Sequence, residues 1–451
     1  MPRNVLPGHL LGMVVALSIS GAALAGPPIT VDSLTRPSRE SLARRVLGPN
    51  KEESVNAIGE LRSMGPEGLR AFLEANSAEI EATLKTPADS RRGSQNEVLA
   101  ALDSICQQKD CYASQLYWYT DLEQAKSAAR ASDKPILSLR LLGRLDEDLS
   151  CANSRLFRIT LYANELVSKL LRERFVLHWQ SVRPVPKLTI DFGDGRKMER
   201  TLTGNSIHYV LDSEGRLIDA LPGIYGPGAF LRELVRISSA AATLGAFRAD
   251  EERNTALRRY HESRFNELES EWLNDVKRAG LRLAPSREIP SAPSAGSSPP
   301  SAQTAAPAAV SKAVMIERPV LRGMSDNPKL LDSIGSDAGW SMIAGLHAAD
   351  ATLDQTTRAL MMFKDPSLTG AALQPAVTAL ERAVAEDTVR NEYVFRARIH
   401  GWLARGAVAS DVASLNEKVY AELFLTPSWD AWLGLRPAGA YSGIDKDGVR
   451  K

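Results

Sequence analysis

The sequence is poor in cysteine, in aromatic residues and in net charge. Only three of its 451 residues are cysteines, aromatic residues make up 6% of the chain, and the formal net charge is +1. Such a near-neutral chain is not typical of a general nucleic-acid binder or of a protein that adsorbs to acidic membranes, because both need a basic surface. We therefore expect no nucleic-acid partner.

Long apolar runs are also missing beyond the N-terminus, which predicts no membrane span there once a signal is removed. The first residues contain Arg3, an apolar stretch over 10–19, and the small residues Ala23 and Ala25. This order is typical of a signal peptide and predicts cleavage after Ala25, with a periplasmic or secreted protein as the product. An uncleaved membrane anchor is the alternative.

Motifs for metal or haem ligation are absent as well. The six histidines do not occur in a C-x-x-C-H or H-E-x-x-H sequence, so we predict no metal site and no cofactor. His178 and His208 fall in predicted strands, where a hydrogen-bonded or solvent-facing histidine is the expectation. His347 and His400 lie in the C-terminal part without a ligand motif.

The three cysteines divide into a close pair and a single residue. In an oxidising compartment two of the three can pair. Cys106 and Cys111 are five positions apart in the stretch SICQQKDCY, and we predict a local disulfide between them. Cys151 is then the unpaired thiol. The alternative is a bond between Cys151 and one of the other two, which would make Cys151 structural or redox-switched.

Composition and periodicity divide the chain into six segments. The stretch over 284–313 is so rich in proline, alanine and serine that it predicts a flexible linker, and the helices after it a separate domain. The segments are a signal peptide (1–25), a helical region (26–112), an α/β region (113–245), a long helix (246–283), the linker (284–313) and a mostly helical C-terminal domain (314–451).

The stretch over 134–179 predicts a strand, a polar loop, a helix and a second strand. Cys151 falls where the helix begins. The free N–H groups and the dipole of a helix N-terminus stabilise a thiolate, so this position favours a reactive cysteine. The nearby charges have both signs, since Arg155 and Arg158 follow the cysteine and acidic residues at 146–148 precede it. The alternative is that Cys151 is a small buried packing residue.

Later segments predict further strands and helices. Residues alternate around the turn Gly193-Asp194-Gly195, which predicts a β-hairpin over 188–202. Two more strands are predicted over 207–211 and 217–220, followed by a helix that starts at Ala229.

This order of elements, with its sequence markers, resembles the thioredoxin fold over about residues 115–237. The resemblance implies an α/β domain with its reactive cysteine at Cys151 and the partner position at Ser154. It also implies that the loop at Asn205 and Ser206 faces the cysteine. The markers are Lys134, Pro135, Ile136, Leu137, Cys151, Ser154, Thr160, Asn164, Val167, Leu170, Leu171, Phe175 and Val176.

Three positions depart from the family pattern. Ser154 replaces the second cysteine, Ser150 replaces the tryptophan before the first cysteine, and Ser206 replaces the cis-proline of the facing loop. A lone thiolate can attack a disulfide or accept a mixed disulfide, but it cannot release itself by forming an internal disulfide.

Two functions follow from this pattern. The first is thiol–disulfide exchange or isomerase-type chemistry through Cys151 and Ser154, with a protein or a low-molecular-weight thiol or disulfide as the partner. The second is a redox-inactive thioredoxin-fold protein that binds partners or acts as a scaffold. The oligomeric state and the role of the C-terminal domain are left open by the sequence.

Overall fold

The computed structural model describes residues 38–86, 90–91, 93–201, 204–281, 337–406, 411–424 and 426–432. The predicted signal peptide (1–25) and the predicted linker (284–313) lie outside the described residues. Within them, the chain forms a mixed five-stranded sheet with flanking helices, and helical regions precede and follow the sheet along the chain.

The N-terminal helices form a core of their own. Asn50 caps the second helix by accepting hydrogen bonds from two backbone N–H groups. Gly65, with a φ of +66°, and Pro66 separate the second helix from the third. Leu61 and Phe72 are buried in this core. The helices are α1 (Arg39–Arg45), α2 (Lys51–Ser63), α3 (Pro66–Ala75), α4 (Ser77–Lys85), α5 (Gly93–Cys106) and α6 (Cys111–Ser114).

Within the described ranges, seven strands follow in chain order. They are β1 (Trp118–Tyr119), β2 (Ile136–Leu142), β3 (Val176–Arg183), β4 (Lys187–Asp191), β5 (Lys197–Thr201), β6 (Ser206–Leu211) and β7 (Leu217–Pro222). The central sheet has the order β1-β3-β2-β6-β7. β3 runs parallel to β1 and β2, whereas β6 is antiparallel to β2 and β7. All seven residues of the middle strand β2 are buried, which accounts for its almost continuous apolar sequence.

The strands β4 and β5 form a separate antiparallel hairpin. Their turn contains Gly193 and Gly195, both with positive φ. The predicted hairpin is therefore confirmed. Most of its residues are exposed, so it extends from the sheet domain into solvent.

Helices flank the sheet and connect its strands. Asp121 and Asn164 cap two of them through side-chain oxygens that accept from backbone N–H groups. The long charged helix that the sequence predicts is confirmed as the last of them. The helices are α7 (Leu122–Ser132), α8 (Ala152–Leu156) with a π-helical continuation (Phe157–Leu161), α9 (Glu165–Arg174), α10 (Pro227–Gly245) and α11 (Asp250–Arg278).

The C-terminal helices share one buried core with the sheet, although the sequence led us to expect a separate domain. Ile399 and Tyr420 belong to the same apolar cluster as the strands β2, β6 and β7. The helices are α12 (Asp337–Leu346), α13 (Gln355–Lys364), α14 (Leu373–Arg390), α15 (Ala397–Ala404) and α16 (Val412–Lys418), with short 3-10 turns (Ala348–Ala351, Gly370–Ala372) and π-helical turns (Asn391–Arg396, Val419–Leu423). The segment boundaries drawn from the sequence stay predictions.

The glycine-rich loop after β7 is where the sheet and the C-terminal helices meet. The side chain of Asn391 donates to the carbonyl of Ile224 (2.6 Å), and the N–H of Gly226 donates to the hydroxyl of Thr388 (2.7 Å). A Cβ atom at Gly226 would collide with the Asp350 carbonyl. Glycine at this position therefore permits a close approach of two backbones. Within the described ranges, no helix combines the length and the apolar character needed to cross a bilayer.

Candidate functional site

Cys151 lies at the N-terminus of α8, where the sequence predicts it. The chain leaves β2 at Gly143, whose φ is +76°, and the loop then returns to the end of the strand. The N–H of Cys151 donates to the carbonyl of Leu142 at 3.2 Å. Cys151 is the capping residue of α8. The end of β2 therefore fixes the position of the thiol.

Ser154 and Asn205 lie next to the sulfur atom. The Sγ of Cys151 is 3.4 Å from the Oγ of Ser154 and 3.8 Å from the carbonyl oxygen of Asn205. The hydroxyl of Ser154 donates in turn to the Cys151 carbonyl at 3.0 Å. Ser206 is the first residue of β6 and is fully buried. The structure thus brings Cys151, Ser154 and Asn205 together, with Ser206 next along the chain, while their catalytic role stays a prediction.

The loop that faces the thiol contacts the C-terminal end of the described chain. We call residues 412–424 and 426–432 the C-terminal cover. Tyr420 donates through its hydroxyl to the Asn205 carbonyl (3.2 Å). The amide of Asn205 donates to Thr426 Oγ1 (2.8 Å) and to the Phe424 carbonyl (3.3 Å). The exposed fraction of Cys151 is 0%. The loop that faces the thiol is therefore bonded to the chain's own C-terminal segment.

Arg183, at the end of β3, holds the outer part of the C-terminal cover. Its guanidinium donates to the carbonyls of Thr426 (2.6 Å), Pro427 (3.1 Å) and Asp430 (3.2 Å). The cover is thus attached to two strands of the sheet, through Arg183 on β3 and through the loop before β6.

The two arginines that follow the cysteine donate hydrogen bonds to groups other than the thiol. Arg158 is 2% exposed, and its guanidinium donates to the carbonyls of Leu145 (3.2 Å) and Glu147 (2.7 Å). Arg155 donates to the hydroxyl of Thr201 at 3.0 Å. Both guanidinium groups therefore serve to hold the loops around the site, a role the sequence did not reveal.

Tyr162 and His208 form a buried pair on the same sheet domain. The hydroxyl of Tyr162 is 2.7 Å from Nε2 of His208. Burial lowers the pKa of His208 to about 3, so its ring is neutral near pH 7. His178 is also buried, with its Nδ1 2.8 Å from the hydroxyl of Ser138, and burial lowers its pKa to about 3. Both strand histidines are thus buried and hydrogen-bonded.

Cys106 and Cys111 lie at bonding distance, at the end of α5 and the start of α6. Their Cα atoms are 6.2 Å apart, within the usual range for a disulfide. Cys151 is the remaining free cysteine. The geometry fits the predicted pairing, which a mass-spectrometric map of the protein would test.

A second buried cluster lies between β7, α11 and α15. We call Asp219, His261 and His400 the Asp–His–His cluster, and the exposed fraction of each is 0%. The Nδ1 atoms of the two histidines are 2.8 Å apart. Asp219 accepts from the Tyr260 hydroxyl (2.5 Å) and from Arg396 (3.0 Å).

Burial and charge set the protonation of this cluster. Burial lowers the pKa of His261 to about 4 and that of His400 well below its usual value. Burial raises the pKa of Asp219, but the Arg396 guanidinium and the hydrogen bond from Tyr260 hold that pKa well below its usual range. Near pH 7 the cluster therefore contains two neutral imidazoles and one carboxylate.

No protein-family model, curated protein or solved structure matches this chain. The site is therefore interpreted from its own residues.

Several residues of both sites could not be predicted from the sequence. The Asp–His–His cluster joins residues 42 and 139 positions apart along the chain, so no local spacing could reveal it. Tyr420 and Thr426 reach the cysteine site from a segment assigned to another domain. One sequence signal for a role of this segment was the concentration of aromatic residues towards the C-terminus, where Trp429 and Trp432 are exposed. Tyr441, in the same part of the chain, lies outside the described residues.

Proposed function

We propose that this protein has a thioredoxin-like domain with a closed cysteine site, and that it acts by binding partners rather than by thiol–disulfide exchange. The observation that carries the proposal is the burial of Cys151 beneath the C-terminal cover. A thiol must contact its disulfide partner directly in order to attack it. A sulfur atom with an exposed fraction of 0% cannot make that contact in the described conformation.

The order of elements supports the thioredoxin-like part of the proposal. Helix α7 is followed by β2, by α8 with Cys151 at its start, and by β3. The antiparallel strands β6 and β7 and the helix α10 come next. This is the order on which the resemblance rests. The hairpin β4–β5 is inserted between β3 and β6.

The lack of a second thiol supports the redox-inactive part. Ser154 occupies the position one turn after Cys151, and a hydroxyl cannot form the internal disulfide that releases a client. Cys106 and Cys111 lie within bonding distance of each other. If these two cysteines form the predicted disulfide, Cys151 has no second free thiol with which to complete a redox cycle.

Exposed aromatic side chains support a protein as the partner. Phe192 on the hairpin is 51% exposed, and Trp429 in the C-terminal cover is 83% exposed. Aromatic residues are enriched at protein–protein interfaces. A scaffold that presents such side chains on the hairpin and on the C-terminal cover is consistent with this composition.

An exchange assay tests the proposal. The full chain is incubated with insulin or with oxidised glutathione, and disulfide reduction and mixed-disulfide formation are followed. We expect the native protein to react no faster than the variant Cys151→Ser. A native rate well above that of Cys151→Ser would contradict the proposal.

Exchange through Cys151 is the second candidate function. It is favoured by one observation: Cys151 is the free cysteine of the chain and its sulfur lies beside the Ser154 hydroxyl. This function requires the C-terminal cover to open. The double variant Tyr420→Phe and Thr426→Ala removes two of the bonds to Asn205. A gain of exchange activity that Cys151→Ser abolishes would favour the second candidate.

A further inference from the structure

We infer that the Asp–His–His cluster is a binding site for a divalent transition-metal ion, with Zn²⁺ as the probe of choice. The site is separate from the cysteine site, and the inference does not rest on the proposed function. Two imidazole nitrogens and one carboxylate oxygen form a ligand set that Zn²⁺ accepts.

The distances suit a metal ion after small movements. One ligand atom from each of Asp219, His261 and His400 lies within 4.8 Å of the other two. The Nε2 atom of His400 is 3.8 Å from Oδ1 of Asp219. Bonds of about 2.0–2.2 Å to zinc place two ligand atoms about 3.4 Å apart in a tetrahedral site. The gap between His400 and Asp219 is therefore too long for a hydrogen bond and close to the separation that a shared ion requires.

Unpartnered nitrogen atoms give an independent reason to expect a ligand. The histidines meet through their Nδ1 atoms, so one ring must donate and the other accept. Both Nε2 atoms are buried and lie outside hydrogen-bond geometry with the described residues, although the backbone of Ile218 lies close to the His261 ring. Buried polar atoms are nearly always paired, since an unpaired one loses its bond to water without replacement. A metal ion bound by the rings would satisfy part of this deficit.

The surroundings of Asp219 resemble the outer shell of a metal site. The backbone N–H of Ala220 donates to Oδ1 (2.7 Å) and the Tyr260 hydroxyl donates to Oδ2 (2.5 Å). Such bonds fix the orientation of a ligating carboxylate. They hold the oxygen atoms of Asp219 in place before any ion binds.

The charge balance also allows an added cation. Arg396 is the guanidinium in contact with Asp219, and it also contacts Glu233 (2.6 Å) and Glu392 (2.9 Å). One positive charge is thus shared by three carboxyl groups. Arg264 (3.5 Å) and Arg236 (3.2 Å) lie nearby but are directed to Glu233. Asp219 therefore shares its counter-ion, Arg396, with two other carboxyl groups.

The burial of the cluster indicates a structural role for the ion. The ligands come from β7, α11 and α15, so one ion would join the sheet to the long helix and to the C-terminal helices. Because the cluster is closed to solvent, metal uptake should accompany folding rather than follow it.

Metal uptake by the full chain tests the inference. The protein is refolded from denaturant with Zn²⁺ alone or with a chelator, and bound zinc is counted by elemental analysis. We expect one ion per chain and a higher thermal midpoint in the zinc sample. The variants His261→Gln and His400→Gln should lose affinity by more than about 100-fold, because even outer-shell partners of a metal are worth about 10–100-fold.

Matched controls separate this site from other ligands. His178→Gln replaces another buried histidine outside the cluster and should bind zinc as the native chain does. The double variant Cys106→Ser and Cys111→Ser and the single variant Cys151→Ser should do the same, which excludes binding by thiolates. Loss of zinc in any of these controls would overturn the assignment, and so would unchanged zinc binding in both cluster variants.

A spectroscopic measurement covers the case in which the cluster variants do not fold. The native chain refolded with Co²⁺ should show the visible absorption of a tetrahedral nitrogen and oxygen site, without sulfur-to-metal charge-transfer bands. Absence of bound metal in both the zinc and the cobalt samples would overturn the inference. The cluster would then be a metal-free network, with water between His400 and Asp219.

Discussion

The two buried sites of this protein differ in how the chain builds them. The cysteine site has a local part, Cys151 and Ser154, which short spacing places on one helix turn. The Asp–His–His cluster has no local part, because each residue comes from a different element. The comparison teaches that local spacing indicates the chemistry of a site but not its accessibility, whereas a site without local spacing is invisible in the sequence.

A variant of Arg396 should change the free energy of unfolding more than any other variant that tests this difference. It is fully buried and contacts Asp219, Glu233 and Glu392. The variant Arg396→Met leaves these carboxyl groups without their shared cation, and we expect the free energy of unfolding to fall by about 3–5 kcal/mol. Urea unfolding at pH 7 measures it.

The control for this variant is an exposed ion pair. Arg44 is 2.8 Å from Glu40, and the two side chains are 67% and 68% exposed. Arg44→Met should lower the free energy of unfolding by less than about 1 kcal/mol. Equal losses of unfolding free energy in the two variants would mean that the buried ion pairs of Arg396 stabilise the fold no more than an exposed pair does.

His208 provides a test through pH. Its pKa is lowered to about 3 by burial, so between pH 6.5 and 3 the unfolded chain binds a proton that the native protein does not. The free energy of unfolding should therefore fall below pH 6.5 by up to about 1.4 kcal/mol per pH unit from this residue.

The variant His208→Gln isolates that contribution. It should be less stable than the native chain at pH 7.5, because the bond to Tyr162 is altered. The difference in unfolding free energy between the two proteins should narrow from pH 6.5 to pH 5. A difference that stays constant over this range would show that His208 is not held neutral by burial.

Tyr420 tests the closure of the cysteine site. The variant Tyr420→Phe removes the hydroxyl that donates to the Asn205 carbonyl and keeps the buried ring. The lost hydrogen bond is worth about 1 kcal/mol, so labelling of Cys151 by iodoacetamide should become roughly fivefold faster.

A matched control for Tyr420 is another buried tyrosine. Tyr209→Phe removes a hydroxyl that donates to the side chain of Asn416, within the C-terminal cover, at 3.3 Å rather than to the loop that faces the thiol. Its labelling rate should stay closer to that of the native protein. If Tyr209→Phe exposes Cys151 more than Tyr420→Phe does, the bond to Asn205 is not what closes the site.

Cys151 itself should show the smallest effect on stability. The variant Cys151→Ala shortens a small buried side chain without breaking an ion pair, and we expect a loss of about 1 kcal/mol with the fold retained. Near-ultraviolet circular dichroism and urea unfolding measure this. Failure of the variant to fold would make Cys151 a structural residue of the core.

Much of the sheet domain could be predicted from the sequence. The apolar run at 136–142, the turn around Asp194 and the position of Cys151 at a helix start are local signals, and the structure follows them. The contacts of Arg155 and Arg158 could not be predicted, because a charged side chain near a thiol can point toward it or toward carbonyls of a loop.

The closure of the cysteine site could not be predicted for a different reason. The stretch over 284–313 indicates a flexible connection, and flexibility between two segments suggests independent domains. Gly226 permits its backbone to lie close to the backbone of Asp350. The sequence shows the glycine but does not show which segment packs against it. A core that joins distant segments depends on contacts of this kind. The apolar periodicity of each segment does not indicate which other segment it contacts.

The labelling rate of Cys151 in the native protein tests the central claim most directly. Because Cys106 and Cys111 lie at bonding distance, iodoacetamide should find one free thiol per chain, and Cys151→Ser serves as the blank. If the C-terminal cover closes the site, the native protein should react more than about 100-fold slower than the urea-unfolded chain, which corresponds to an opening free energy above about 2.7 kcal/mol. A native rate within a few fold of the unfolded rate would contradict the account, since it would mean that the thiol is open to partners.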